Sequence, residues 1–319
     1  MPSFKMKPGN YRIGIDGGGT KTRAVLLDET LTIRGEGAAG SSNIYAVGLE
    51  KAAANILDAA DFALRGAKKT RADVWGWGLG LGGVVSGRES ARIEAALRPF
   101  LGQTVMISVV EDVVAAHRGA FDWTGARGTQ IVCIAGTGAN CWGRNLEGNS
   151  AGADGLGPLL GDRGSGYSIG EAALRFYGRC EDGIEAHSDF SRAILAHFGA
   201  KNGAELVEIV YAPGFERARV ASLVPLLISY SQSEKRAREI LEAAGRDLGR
   251  TARTVLRRLA TKNESEPECN NENRAEIALV GGVLSGADAV REAVQETLDS
   301  AARLVEARYE SAIGAALLI

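Results

Sequence analysis

The chain is poor in residues that form cross-links or bind zinc. Its four cysteines, Cys133, Cys141, Cys180 and Cys269, are scattered without CxxC spacing. Neither a zinc site nor a disulfide framework is therefore expected. Cysteines that serve as small buried side chains are typical of a reducing compartment, so the sequence predicts a cytoplasmic protein.

Long apolar runs and an excess of charge of one sign are missing as well. No stretch approaches the roughly 18 apolar residues that would span a bilayer. The first eleven letters, MPSFKMKPGNY, contain lysines but no apolar core of a signal peptide. The net charge of -2 predicts neither nucleic-acid binding nor attraction to an anionic membrane.

Proline is scarce and glycine abundant, with 7 and 42 residues respectively. This combination favours tight turns and close approaches of the backbone to ligands over disorder. A length of 319 residues exceeds what one hydrophobic core usually serves, so two domains are expected.

Apolar periodicity predicts strands that alternate with helices, which places the chain in the α/β class. Strands are predicted at 11–16, 21–29, 75–83, 104–110 (a buried one), on both sides of the glycines within 131–145, and from 277. Helices are predicted at 49–66, 88–98, after Asp112, from about Gly170, over most of 188–260, after the glycines of 277–286, and at 309–319. A long glycine-rich loop is predicted at 155–170 and an exposed polar loop at 261–276.

The segment IDGGGTKT joins two of these strands through a turn of glycines. Without Cβ atoms, Gly17, Gly18 and Gly19 let backbone N–H groups curl toward an anion. Thr20 can add a hydroxyl donor, and Asp16 at the strand end suits Mg²⁺ held through water. A plain glycine hairpin explains the same letters, so this motif alone does not decide between the two interpretations.

A second strand–glycine–strand element, IVCIAGTGANCWGRN, repeats this pattern and predicts a duplicated domain plan. Its turn contains Gly136, Thr137 and Gly138, and Thr137 is a candidate donor to a phosphate. Two such hairpins facing one cleft could clamp a polyphosphate, although each is also compatible with an ordinary tight turn. The paired glycines of VGGVLSG, Gly281 and Gly282, allow close passage of a flat group such as adenine, or simply close strand–helix packing.

Two aspartates stand where carboxylates could meet a sugar hydroxyl. Asp112 follows a β-branched strand, at the strand end where ligands bind in α/β sheets. It could accept the proton of an attacking hydroxyl, or it could only cap the next helix. Asp162 is flanked by glycines within GDRGSGYSIG and could bind a sugar hydroxyl pair or be a turn residue.

Taken in order, the motifs resemble the actin-like ATPase superfamily of sugar kinases, and more closely its BadF/BadG/BcrA/BcrD branch with the N-acetylglucosamine and glucosamine kinases. The matching segments are IGIDGGGTKT, SSN at 41–43, GLGLGG, VVEDVVAA, IAGTGANC, GLGPLLGDRGSGYSIG, IALVGGV and SAIGAALL. The resemblance implies two ribonuclease H-like domains with an interdomain active-site cleft. One domain would comprise 1–117 plus about 305–319, and the other 118–304.

The resemblance also implies an ATP- and Mg²⁺-dependent kinase that phosphorylates an amino sugar, N-acetylglucosamine or glucosamine, at its 6-hydroxyl. Asp112 matches the catalytic base, and a homodimer is compatible with the family. The turn residues Asp16, Gly17, Gly18, Gly19, Thr20 and Lys21, together with Gly136, Thr137 and Gly138, would bind phosphates. Sugar contacts would come from Asn43, Thr137, Gly138 and Asp162, and adenosine contacts from Gly281 and Gly282.

The sequence departs from the family pattern near the sugar. Arg163 replaces an acidic residue, Ser168 replaces a tryptophan, Leu156 stands within GLG where the family has GWG, and Glu111 and Val113 flank Asp112. The sequence therefore does not decide which sugar is bound, and an acidic sugar is one of the alternatives. Two other functions are also open: an ATP-driven activator of a radical dehydratase, which the unclustered cysteines disfavour, and a sugar sensor that needs neither Asp16 nor Asp112.

Overall fold

The computed structural model describes residues 11–124, 126, 128–260, 274–284 and 286–319. The chain forms two compact units. The first reaches Ala126 and takes up Glu306–Ile319 from the end of the chain, and the second ends at Val305. Most of the predicted loop 261–276, with Cys269, lies outside the described residues.

The first unit is built on a mixed five-stranded sheet in the order β3-β2-β1-β4-β5. β1, β2 and β3 form an antiparallel meander, and β4 and β5 run parallel to β1. The strands are β1 (Tyr11–Gly17), β2 (Thr22–Leu27), β3 (Ile33–Ala39), β4 (Val74–Leu81) and β5 (Met106–Glu111).

Helices cover both faces of this sheet. They are α1 (Ile44–Val47), α2 (Leu49–Gly66), α3 (Gly87–Leu101), α4 (Asp112–Ala120) and the C-terminal helix (Ser311–Ala316). One core joins Ile13 and Trp77 of the sheet to apolar residues of α2 and α3. On the other face, Val25 and Leu27 pack against the C-terminal helix.

The alternating glycines of β4 have a packing reason. A Cβ on Gly78 would lie 1.9 Å from the carbonyl oxygen of Ala315, and one on Gly80 would lie 2.3 Å from the Cβ of Ala115. The C-terminal helix and α4 therefore approach the strand more closely than a side chain would permit. On the opposite face, Trp77 and its neighbours Leu79 and Leu81 are fully buried.

The second unit repeats the plan of the first. Its sheet has the order β10-β9-β6-β7-β8, with β6, β7 and β8 antiparallel and β9 and β10 parallel to β6. The predicted duplication is thereby confirmed at the level of strand order and direction. The strands are β6 (Gln130–Ala135), β7 (Ala139–Arg144), β8 (Ser150–Asp154), β9 (Ala275–Val280) and β10 (Ala302–Val305).

The helices of the second unit form one core with its sheet, to which Ile131, Phe190, Leu241 and Val294 contribute. The helices are α5 (Gly166–Glu181), α6 (Asp189–Phe198), α7 (Gly203–Val210), α8 (Arg217–Ala221), α9 (Val224–Tyr230), α10 (Lys235–Leu259) and α11 (Asp288–Leu298). None of the helices among the described residues combines the length and apolarity needed to cross a bilayer.

Three sequence predictions are wrong in detail. The helix expected from about Gly170 begins at Gly166, because the Ser165 side chain accepts the N–H of Ser168 at 3.1 Å and caps it. The strand expected to be buried, β5, is half-buried or exposed throughout, because it lies at the sheet edge, where β4 is its one partner among the described strands. The helix predicted at 309–319 is shorter and spans Ser311–Ala316.

Candidate functional site

In the first unit the predicted phosphate turn and the predicted base lie at the carboxyl ends of the parallel strands. β1, β4 and β5 run in parallel, with Gly17 opposite Leu81 and Leu81 opposite Glu111. The turn after Gly17 and the carboxylate of Asp112 therefore emerge side by side. Gly82 lies between the turn and Asp112. Its N–H donates to the Gly17 carbonyl at 2.7 Å, and a Cβ on Gly82 would lie 3.3 Å from Oδ2 of Asp112.

The glycine turn itself is open to solvent at its tip. The Gly18 N–H donates to the Lys21 carbonyl at 3.0 Å and closes the loop between β1 and β2. Gly19, Thr20 and Lys21 are exposed, and a Cβ on Gly18 or Gly19 would have no heavy atom within 4 Å. An anion can therefore approach the backbone of this turn closely, as the sequence predicts.

Asp16 lies at the base of the turn in an unusual electrostatic setting. Burial raises its pKa to about 6 from the ordinary 3.8, the negative charge of Asp112 acts in the same direction, and Arg23 opposes them. Arg23 faces Asp16 across the β1–β2 ladder, but it also pairs with Glu36 at 2.8 Å and with Glu310. A cation bound beside Asp16 would favour its ionised form over the protonated one.

The oxygen chemistry of Asp16 and Asp112 fits Mg²⁺. Among the described residues no group of three or more His, Cys, Asp or Glu side chains is arranged to hold a metal. A magnesium ion at Asp16 would thus retain water or phosphate oxygens in its shell, which is its usual behaviour.

Asp112 is the first residue of α4, not the residue that caps it. Its Oδ1 accepts the N–H of Val113 at 2.8 Å, and the capping position belongs to Glu111, whose side chain makes no cap hydrogen bond. The positive end of the helix backbone stabilises a carboxylate at this position. Asp112 is half-buried, so an incoming hydroxyl can reach it.

The SSN segment is tied to the same turn. The Ser41 hydroxyl and the Ser42 N–H both donate to the Gly18 carbonyl, at 3.0 and 3.3 Å. Asn43 caps α1 by accepting the N–H of Tyr45, and its Oδ1 would lie 2.7 Å from a Cβ on Gly83. Asn43 is therefore fixed next to the Gly82–Gly83 pair that separates the turn from Asp112.

In the second unit, Asp162 is fixed beside the second glycine turn. Its side chain is buried, and its Oδ1 accepts the N–H of Ala139 at 3.1 Å, just beyond Gly138. Burial raises the pKa of Asp162, while the Ala139 hydrogen bond and Arg217 lower it. The carboxylate is thus positioned next to the Gly136–Gly138 turn.

Two further charged residues define the surroundings of Asp162, and the sequence analysis missed both. Asp154 accepts the N–H groups of Asp162 and Arg163 at 2.6 and 2.9 Å, which fixes the loop. Arg217 places Nη1 3.6 Å from Oδ2 of Asp162. The Arg163 side chain turns back toward its own loop, 3.7 Å from Asp154 and 3.3 Å from the Leu160 carbonyl.

The start of α5 and the end of β9 complete this edge of the second sheet. The N–H groups of Gly166 and Tyr167 donate to the carbonyls of Gly136 and Thr137. Gly281 has a φ of 118°, and a Cβ on it would lie 2.4 Å from the Ala135 carbonyl oxygen. Gly281 and the exposed Gly282 thereby stand at the strand end next to the glycine turn, while Ser285 of the same motif is outside the described residues.

The predicted residues thus fall into one group in each unit. The first group is Asp16, Gly17, Gly18, Gly19, Thr20, Lys21, Asn43 and Asp112, and the second is Gly136, Thr137, Gly138, Asp162, Gly281 and Gly282. Cys133, Cys141 and Cys180 are buried and unbridged, and Cys133 and Cys141 oppose each other across β6 and β7.

Comparison with known proteins identifies the family. Residues 13–318 match the model of the BadF/BadG/BcrA/BcrD ATPase family. The N-acetyl-D-glucosamine kinase of Dictyostelium discoideum is 29% identical, with 96% of each chain covered. The N-acetylmuramic acid/N-acetylglucosamine kinase of Clostridium acetobutylicum is 26% identical, with 97% of each chain covered.

Two solved structures are similar to this chain over nearly its whole length. A Chromobacterium violaceum protein put forward as an N-acetylglucosamine kinase is 27% identical and superposes with a TM-score of 0.75, covering 97% of this chain and 98% of its own. A ROK family glucokinase from Streptomyces griseus shares the fold at a TM-score of 0.63, with 17% identity and coverage of 97% and 99%. The chain belongs to the BadF/BadG/BcrA/BcrD ATPase family.

Proposed function

We propose that this chain is an ATP-dependent kinase that phosphorylates an amino sugar, N-acetylglucosamine or glucosamine, at its 6-hydroxyl. The observation that carries the proposal is the placement of Asp112 beside the open glycine turn and Asp16 at the same sheet edge. The full-length relatives named as kinases of amino sugars support the choice of substrate.

The phosphates of ATP would be held by backbone donors of the turn at Gly17–Lys21 and of the turn at Gly136–Gly138. Asp16 would hold Mg²⁺ through water, and the ion, when bound, would neutralise charge that develops on the transferred phosphoryl group. Gly281 and Gly282, which lack side chains at a strand end, would let the adenosine pass close to the backbone.

Asp112 would act as the general base. The 6-oxygen of the sugar forms a bond to the γ-phosphorus while the bond from that phosphorus to the leaving ADP oxygen breaks, and the hydroxyl proton passes to Asp112. The position of this carboxylate at the start of α4 stabilises its ionised form, which is the form a base requires.

The sugar would be bound by Asn43 and Asp162, with Thr137 and Gly138 beside it. Asp162 is suited to accept hydroxyl hydrogen bonds because its backbone and Oδ1 are already fixed by Asp154 and Ala139. A buried acceptor of this kind discriminates strongly against a sugar that lacks the matching hydroxyl.

The test compares Asp112→Asn with Glu111→Gln, which removes the adjacent carboxylate. Turnover would be followed by ADP release with Mg-ATP and a panel of amino, neutral and acidic sugars. We expect Asp112→Asn to lower kcat by about 10²- to 10⁴-fold while Mg-ATP binding persists, and Glu111→Gln to retain most activity. Near-normal turnover by Asp112→Asn would refute the assignment, and no sugar-stimulated ADP release by the natural protein would refute the kinase itself.

A further inference from the structure

A cavity of about 860 Å³ lies within the second unit, and the proposed function does not use it. Its walls come from α5, from α7, from α8 and from the segment that leads into α8. The lining includes the apolar Leu174 and Leu206 and the charged Glu171, Arg175 and Arg217. Its volume is in the range of sites that bind small molecules, roughly 300–1,000 Å³.

Two residues that line the cavity also contact the proposed sugar site. Arg217 lines it and also reaches Asp162, with 3.6 Å between Nη1 and Oδ2. Tyr167 lines it as well, and its N–H donates to the Thr137 carbonyl at 3.1 Å. Two residues therefore connect the cavity directly to Asp162 and to the second glycine turn.

The walls combine aromatic faces with hydrogen-bonding groups. Tyr167, Tyr211 and Phe215 contribute rings, and Tyr211 is 83% exposed, so its ring is available to a ligand. Arg175 donates to Glu171 at 3.0 Å, which leaves a polar pair on the cavity wall. Tyrosine rings offer an apolar face with a polar tip, a combination that suits the apolar faces and hydroxyl rim of a sugar.

We propose that this cavity is a subsite for a second sugar ring joined to the amino sugar that is phosphorylated. The inference rests on the proposed function, because Asp162, which Arg217 of the cavity wall contacts, is the residue that would bind the first ring. The second ring would lie toward Tyr211, and the guanidinium of Arg217 would donate to the oxygens near the linkage. The chain would accordingly accept disaccharides of amino sugars as well as the free sugar.

Continuity with Asp162 favours a saccharide over a protein partner. The volume of the cavity lies in the range of small-molecule sites, and its Glu171–Arg175 pair offers hydrogen-bond acceptors and donors to the hydroxyls of a single ring.

The test measures kcat/KM for N-acetylglucosamine and for its β-1,4-linked dimer, and measures binding of both by calorimetry. Two variants alter the far end of the cavity: Tyr211→Ala removes a ring, and Val207→Trp fills space at a position that is 55% exposed. Leu146→Ala, an exposed residue outside the cavity, is the matched control. Circular dichroism would show that the variants are folded.

We expect the dimer to bind and the ratio of kcat/KM for the dimer to that for the free sugar to fall about tenfold in both cavity variants, with no change of ratio in the control. Equal losses for both sugars, or no binding of the dimer by a protein that phosphorylates the free sugar, would overturn the subsite. If no free sugar is phosphorylated, the proposed function fails, and the calorimetric comparison of the two sugars still decides whether the cavity binds a saccharide.

Discussion

The buried carboxyl group of Asp16 makes the stability of the protein without metal depend on pH. Its pKa is about 6 in the folded chain against an ordinary value of 3.8. Between these values the unfolded chain releases the proton while the folded chain retains it. Stability contributed by this group is therefore complete below pH 3.8 and is lost as the pH rises through about 6.

The substitution Asp16→Asn removes the ionisation and keeps the shape. The shift of about two pKa units corresponds to about 3 kcal/mol of unfolding free energy near pH 8 and to about half of that near pH 5. Without Mg²⁺ the variant should therefore be more stable than the natural protein, and this gain should roughly double between pH 5 and pH 8.

Urea unfolding in the presence of a chelator measures this gain at each pH. Asp58→Asn, at an exposed position of α2, is the control for loss of one negative charge. Addition of Mg-ADP should stabilise the natural protein near pH 8 more than it stabilises Asp16→Asn, because the variant lacks the Asp16 carboxylate that would hold the cation through water. A variant that is no more stable than the natural protein at either pH would refute the electrostatic argument.

Three smaller perturbations test the second unit. Asp154→Asn should cost about 1–3 kcal/mol in urea unfolding and raise KM for the sugar, because an amide cannot accept both N–H groups that Asp154 now accepts. Gly281→Ala should destabilise by about 1–3 kcal/mol in the same assay, since its φ of 118° and the Ala135 carbonyl leave no place for a Cβ. Ser165→Ala should cost about 1 kcal/mol through loss of the cap of α5, seen as a lower Tm, and an unchanged Tm would contradict the assigned cap.

The sequence predicts the glycine-rich hairpins well because their signals are local. A β-branched or apolar strand followed by glycines predicts a turn at those glycines. The hairpins β1–β2 and β6–β7 form at the predicted positions. The strands β3, β8 and β10 were not predicted. IRGEGAA and SAGAD contain small and polar residues with weak strand preference, so pairing with the neighbouring strand determines their conformation.

The site residues also divide into those with a local sequence signal and those whose role depends on tertiary contacts. Asp16 and Asp112 could be selected from the sequence because each stands at a strand end within a recognisable motif. Asp154 and Arg217 could not, because their roles arise from contacts with Asp162 that cross 8 and 55 residues of chain. The backbone of Asp154 has a positive φ of 76°, which marks it as unusual, but the sequence does not reveal this angle.

The two units share a strand order but carry different residues at corresponding strand ends. Both sheets have the same strand order, and both first hairpins close with glycines. Where IDGG in the first copy has Asp16, IAGT in the second has Ala135, so the carboxylate at the strand end exists in one copy only. The acid of the second unit, Asp162, comes instead from the loop before α5 and is fixed by Asp154. The second glycine turn therefore offers its backbone N–H groups to an anion without a carboxylate at its strand end.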